Sequence, residues 1–347
     1  MLLAAPAAGE APWTDLTDFL VPSDGSRSPG DTNKAFNDTR DPGSRIAYVA
    51  PQRGNNETAE VYWWDGKRIV DASGKATNEA GEAYGTNPLE PNEQAVKPFN
   101  ALILKNEPRL RIHKGAHLSA GYPDWYLLRR GRTHEEFRGW LWGGRSRAEP
   151  MVVAAYGPPA DGRAVLDLAD GNPFTMHTHG DAEAQFHAVI AGLEVRQGGL
   201  SFLGMHAGCT SPGEPGVPTL LMEDCKIVRG QMNYLPIRST LRRCISAYNW
   251  KVKGHNQAYF TSKFDAATTF EEVILYKNGY KTDPRTDPDP RRTIFDRNIY
   301  QGGGAKMGHI YRNIISADGG SGGPQMRLGG LCENSLIIEG YWFSATS

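Results

Sequence analysis

The chain has 347 residues, with 38 Lys and Arg against 39 Asp and Glu and a formal charge of −1 at pH 7. This balance argues against a nucleic-acid or anionic-membrane partner, which would need a basic surplus. Forty Gly and 23 Pro describe a turn-rich β protein, and no apolar run approaches the roughly 20 residues of a membrane-crossing helix. The length suits either two ordinary domains or one elongated solenoid with a cap.

Residues 1–9, MLLAAPAAG, resemble the tail of a secretory leader but lack a basic start. They read equally as an unstructured terminus, and a secreted or cell-surface location is the expectation. Residues 10–45 are rich in Asp, Ser, Gly, Pro and Asn without periodicity, which predicts an extended or capping segment and no core. Residues 45–50 form a strand candidate. Tyr62, Trp63 and Trp64 before an Asp65-Gly66 turn predict a hairpin over 60–70, with packing the expected use of the two Trp. A short helix is expected over 98–105, and an apolar lid of some kind is needed over the first coil of a solenoid, whose edge would otherwise stay open.

Strand and turn alternation begins near residue 110 and runs through 125–130, 151–156 and 188–195. The division expected is therefore an N-terminal extension and cap over 1–109 and a solenoid over 110–347. His177 and His179, with Asp181 and His187 later, are residue types that ligate metals, but no clear fourth partner accompanies them and a loop between coils explains them. No metal or other cofactor is expected. Cys209, Cys225, Cys244 and Cys332 show no CxxC spacing.

The fold class rests on five similar segments, 222–227, 241–246, 270–275, 310–315 and 331–336. Aligned, their first column reads Met222, Leu241, Phe270, Ile310, Leu331 and their last Ile227, Ser246, Leu275, Ile315, Leu336. Between them lie Cys225, Cys244, Val273, Asn313 and Asn334, small or amide side chains suited to stacking. The segments start 19, 29, 40 and 21 residues apart, so a unit near 20 recurs and the excess is loop. Repeats of this length, each unable to bury its own apolar face, predict an all-β right-handed parallel β-helix. A leucine-rich or helical repeat is the alternative, disfavoured by the absence of Leu at fixed positions. Asp224, Arg243, Glu272, Arg312 and Glu333 precede the small residues and alternate in sign, as neighbours about 4.8 Å apart would. Stacked buried thiols are expected at Cys225 and Cys244, with a disulfide the weaker alternative.

A second strand precedes each of these segments, at 232–235, 257–261, 298–301 and 325–328. Apolar Ala258, Phe260, Ile299, Met326 and Leu328 are expected inward, which by period two sends Gln257, Tyr259, Asn298, Tyr300, Gln325 and Arg327 outward, with Asn233 on the same face. Amides, Tyr rings and an Arg on one flat sheet suit an extended polar polymer. Lys251, Lys253, His255 and Lys263 crowd the same region.

The stretches HNQAYF (255–260), FDRNIYQ (295–301) and PQMRLGGLCENSLII (324–338) resemble the right-handed β-helix proteins of the pectate-lyase-like superfamily over roughly residues 110–347. The resemblance implies polysaccharide lying along one sheet. Clustered Asp residues, which hydrolases of that superfamily use, and the acidic calcium cage of its pectate lyases are missing here, and a Gly-rich run fills 319–323. The activity expected is β-elimination on a uronate-containing polysaccharide, with Arg327 neutralising the carboxylate and Tyr259, Tyr300, His255 or Lys263 as base, and Asn233, Gln257, Asn298 and Gln325 holding the polymer. The alternative is a tailspike-like or structural β-helix that binds glycan without cutting it and closes its C-terminal end by homo-oligomerisation.

Overall fold

The computed structural model of the protein describes residues 13–25, 43–77, 96–100, 110–113, 116–118, 123–135, 137, 139–144, 146–167, 174–177, 187–197, 201–203, 219–230, 233–235, 238–261, 268–301, 309–326 and 329–338. Apart from two short 3-10 helices, Leu16–Phe19 and Pro159–Asp161, every regular element in them is a strand. Eleven strands make one sheet and eight a second, while a third side is divided between a three-stranded and a four-stranded sheet. From Trp125–Arg129 onward the chain visits the first, second and third side in turn and then returns to the first. Every strand-to-strand pairing in that stretch is parallel. This stack of parallel strands is compatible with the expected β-helix.

The first sheet starts earlier than residue 110. Arg45–Val49 pairs in parallel with Trp125–Arg129, and the predicted hairpin, Tyr62–Trp64 with Ile69–Val70, continues the sheet antiparallel. Trp63 and Trp64 are buried. Phe99 is extended, bridging Val49, so the helix predicted over 98–105 does not begin there; residues 101–105 lie outside the described set.

Between first-sheet and second-sheet strands the chain turns on one residue in the left-handed region. Asp224, Arg243, Glu272, Asn313 and Asn334 hold φ between 47° and 56°, a conformation costing a non-glycine residue about 1–2 kcal/mol. The corner keeps the ladder intact: Arg243 N–H donates to the Glu271 carbonyl (3.1 Å) and Asn313 N–H to that of Glu333 (3.2 Å), each one coil further on. Gln197, Arg229, Tyr248, Lys277 and Asp318 repeat the device after the second sheet, with φ of 50° to 61°.

The register corrects the sequence expectation at one step. Met222, Leu241 and Phe270 align as expected, but Phe270 then pairs with Tyr311 and not with Ile310. Asn313 and Asn334 remain one above the other, yet in the left-handed corner with Asp224, Arg243 and Glu272. The inward column of Cys225, Cys244 and Val273 continues in buried Ile314. A one-residue offset exchanges faces, so Ile315 and Leu336 point outward, 41% and 53% exposed. With Ile274 and Ile338 they leave an apolar stripe on the second sheet.

Two of the expected neighbouring charge pairs form, Arg243 with Glu272 and Arg312 with Glu333, whereas Asp224 pairs with Arg163 and Arg312 reaches Glu271 in place of Glu272. Arg243 Nε reaches Glu272 (2.7 Å), Arg242 reaches Glu223 (3.1 Å), and Arg312 bridges Glu271 (3.5 Å) and Glu333. Cys225 and Cys244 are buried free thiols. Burial and the neighbouring Cys225 push the Cys244 thiol well above its ordinary range.

Two apolar clusters hold the fold. One fills the space between the sheets, where Tyr126, Val153, Ile190, Met222, Leu241 and Phe270 stack. A fully buried aliphatic or aromatic side chain of this kind contributes about 1.5–3 kcal/mol. The other lies outside the first sheet, where Leu16 and Leu20 pack with Tyr48, Tyr62, Trp125 and Tyr156. Part of the 10–45 segment is therefore core, contrary to its polar composition. Its entry is fastened by charge: Thr14 N–H donates to Glu223 (3.3 Å), and the Trp13 ring lies 4.1 Å from the Arg243 guanidinium carbon. Arg45, on the strand that opens the first sheet, donates through Nε (2.9 Å) and Nη2 (2.7 Å) to both carboxylate oxygens of buried Asp124.

Candidate functional site

Four strands of the third side, Asn233–Leu235, Gln257–Thr261, Arg297–Gln301 and Gln325–Met326, carry most of the residues expected to meet a ligand. In register, Phe260 opposes Tyr300 and Tyr300 opposes Gln325; one residue earlier, Asn233 opposes Tyr259 and Tyr259 opposes Ile299. Tyr259 and Ile299 are fully buried, whereas Phe260, Tyr300 and Gln325 are half-buried. The outward column is therefore Phe260, Tyr300, Gln325.

Two assignments reverse. Tyr259, expected outward, lies inside with its ring edge-on to Phe270 at 5.6 Å, and burial, followed by the nearby Cys244 and Cys225, pushes its phenol well above the usual range. It is closed to a polymer on the surface. Phe260, expected inward, lies outside. In a Tyr-Phe pair one ring must face the core, and the interior accepts Tyr259 among Cys244, Phe270 and Tyr311.

Phe260 and Tyr300 stack with centroids 5.6 Å apart and ring planes 16° from parallel. That geometry follows from two aromatic residues at one register position of adjacent parallel strands. The result is a flat aromatic surface on the outer face, continued by the Gln325 amide.

The two other amides expected to hold substrate are structural. Asn298 is fully buried: its Nδ2 donates to Ser316 Oγ (2.9 Å), and its Oδ1 accepts from Asn278 Nδ2 (2.9 Å). Asn278 also donates to the Ser246 carbonyl (2.8 Å) and accepts from Asn249 N–H (3.2 Å), and Asn249 Oδ1 accepts from Gly230 N–H (2.9 Å). This buried amide column, immediately after the second corner, is the ladder that the sequence reading placed at Asn313 and Asn334. Asn249 and Asn278 each stand three residues after an inward second-sheet residue, Ser246 and Leu275, and this spacing was the signal for it. Buried Gln257 donates to the Phe295 carbonyl.

His255 is exposed just before its strand, edge-on to Phe295 at 4.6 Å, and Lys251 and Lys253 earlier in the same loop are exposed as well. Only the backbone of Asn233 is described, and Lys263 and Arg327 lie outside the described residues. The Gly-rich run is a packing feature. A Cβ on Gly320 would stand 1.8 Å from the Gly279 carbonyl oxygen, while Ser321 N–H donates to the Asp296 carbonyl (2.6 Å).

Of the histidines considered for a metal, His187 is buried, with Nδ1 against Thr219 Oγ1 at 2.7 Å. His179 and Asp181 lie outside the described residues. Among the described residues no three of His, Cys, Asp and Glu are grouped to hold a metal ion. No protein-family model, curated protein or solved structure matches the chain.

Proposed function

We propose that the protein is a right-handed parallel β-helix of the pectate-lyase-like kind that binds a polysaccharide along its third side, using Phe260 and Tyr300 as the platform for sugar rings. The stacked, half-exposed aromatic pair on an otherwise flat parallel sheet carries this reading. Sugar C–H faces pack on aromatic rings, and the adjacent Gln325 amide offers both a donor and an acceptor to ring hydroxyls. A secreted or cell-surface location suits such a ligand. Burial of Tyr259 favours holding over cutting, because it withdraws a candidate base while the Phe260 and Tyr300 rings stay at the surface.

β-Elimination on a uronate polymer is the second reading. It is favoured by exposed His255 with exposed Lys251 and Lys253 earlier in the same loop, because elimination needs a base and a positive charge that neutralises the carboxylate. One experiment addresses both. Electrophoresis of the protein through gels containing polygalacturonate, alginate or neutral glucans is expected to show retardation by at least one of them. The Phe260→Ala/Tyr300→Ala protein should bind roughly tenfold more weakly, the equivalent of about 1.4 kcal/mol. Equal retardation of wild type and double variant, or none in any gel, would overturn the glycan reading. Near-ultraviolet absorbance from an unsaturated uronate product that disappears in His255→Ala would instead establish cleavage.

A further inference from the structure

A second concave site lies on the outward face of the first sheet, away from the aromatic pair, where the segment containing Thr14 and Phe19 crosses the strands Thr219–Glu223 and Ser239–Arg242. The cavity measures about 450 Å³, within the range of small-ligand sites. Its polar lining is one-sided. Arg147, Arg238 and Arg242 line it together with the hydroxyl residues Thr219 and Thr240, and no Asp or Glu is among the described lining residues.

Among the described residues, only Arg242 of the three has a carboxylate partner. Arg242 donates through Nε and Nη2 to Glu223 (both 3.1 Å), which also takes Arg243 (3.0 Å) and the Thr14 N–H (3.3 Å) and so is covered on the outward face beside the groove. Arg147, exposed, and Arg238, half-buried, have no carboxylate partner among the described residues. Arg238 is held at φ 52°, a backbone state of appreciable cost for a branched-free but bulky residue. The positive field reaches His187 behind Thr219, whose pKa is pushed down to about 4 by burial first and Arg147 second. Val189 and Leu221, in register with Thr240, lie between the Arg238 and Arg242 positions and with Phe19 supply an apolar floor.

We infer that this groove binds an oxyanion group, a carboxylate, sulfate or phosphate, borne by a small ligand whose body rests on Phe19, Val189 and Leu221. Guanidinium forks match the paired oxygens of such groups, and hydroxyls complete their coordination. The inference stands apart from the glycan reading, since none of these residues belongs to the third side.

Calorimetric titration of the full chain with inorganic phosphate, sulfate and galacturonate, each alone at low salt, tests it. Saturable binding of at least one is expected. Arg147→Gln and Arg238→Gln should each weaken it about tenfold and the double variant about a hundredfold, while Arg285→Gln, whose guanidinium is paired with Asp283 on another loop, leaves it unchanged. Binding of phosphate and sulfate as tight as that of galacturonate identifies the bare oxyanion as sufficient; tighter galacturonate binding identifies a requirement for the ligand body. Arg147 is exposed and outside both apolar clusters, so its variant is expected to keep the wild-type melting transition. Failure of all three probes to saturate, or wild-type affinity in both single variants, would overturn the inference.

Discussion

Asp124→Ala is expected to lower the free energy of unfolding by about 3–5 kcal/mol. The substitution leaves the Arg45 guanidinium, which donates to both Asp124 oxygens (2.9 and 2.7 Å), as a buried charge without its carboxylate. Because Arg45 opens the strand that joins the N-terminal region to the first sheet, the loss should also expose residues 43–77 to protease before the rest of the chain. Urea unfolding measures the first effect and limited proteolysis with mass analysis the second. Arg45→Met/Asp124→Leu should recover much of the stability, since replacing both charges removes the desolvation cost together with the attraction. A loss no larger than that of a surface ion pair, about 1 kcal/mol or less, would mean that the pair does not join the two parts.

Asn278→Leu is expected to cost about 3 kcal/mol or more. Three buried groups would lose a partner: the Asn249 N–H, the Ser246 carbonyl and Asn298 Oδ1. Each such orphan costs about 1–3 kcal/mol. Leucine matches the amide in size, so a cavity would not account for the loss. Amide hydrogen exchange at Asn249 should accelerate in the variant while that of Val153, several coils away, follows only the global change. Unaltered unfolding and exchange would remove the amide column from the account of stability.

The cyclic order of strands was legible in the sequence because each coil repeats an apolar residue, a corner and a second apolar residue, and this pattern survives loops of different length. Its phase was less legible. Ile310 and Tyr311 are both apolar, so either could continue the column of Phe270, and alignment by residue likeness chose the wrong one. The Asn pair at 313 and 334 then looked like an inward ladder, although Asn also tolerates the left-handed corner better than most residues. Arg243 and Glu272 occupy the same corner, and nothing in their chemistry announces it. Likewise Tyr259 and Phe260 are adjacent and both aromatic, so period two allowed two opposite assignments; packing against Phe270 decided between them. The groove lined by Arg147, Arg238 and Arg242 was invisible in sequence because its walls come from segments more than 200 residues apart, Thr14 and Arg242 among them. The polar composition of residues 10–45 also hid the two leucines that fasten that segment to the sheet.

The central claim is that residues far apart in sequence become neighbours in successive coils, and spin-label distances test it most directly. Nitroxides on Ile274→Cys and Ile315→Cys, in a protein whose Cys209 and Cys332 are replaced, stand on paired positions of adjacent second-sheet strands, about 4.8 Å apart at the backbone. Labels on Ile245 and Ile315 are two strands apart, or about 9.6 Å. Strong dipolar broadening for the first pair and clearly weaker broadening for the second is the result expected. Absent broadening in the first pair, or equal broadening in both, would contradict the stacked arrangement.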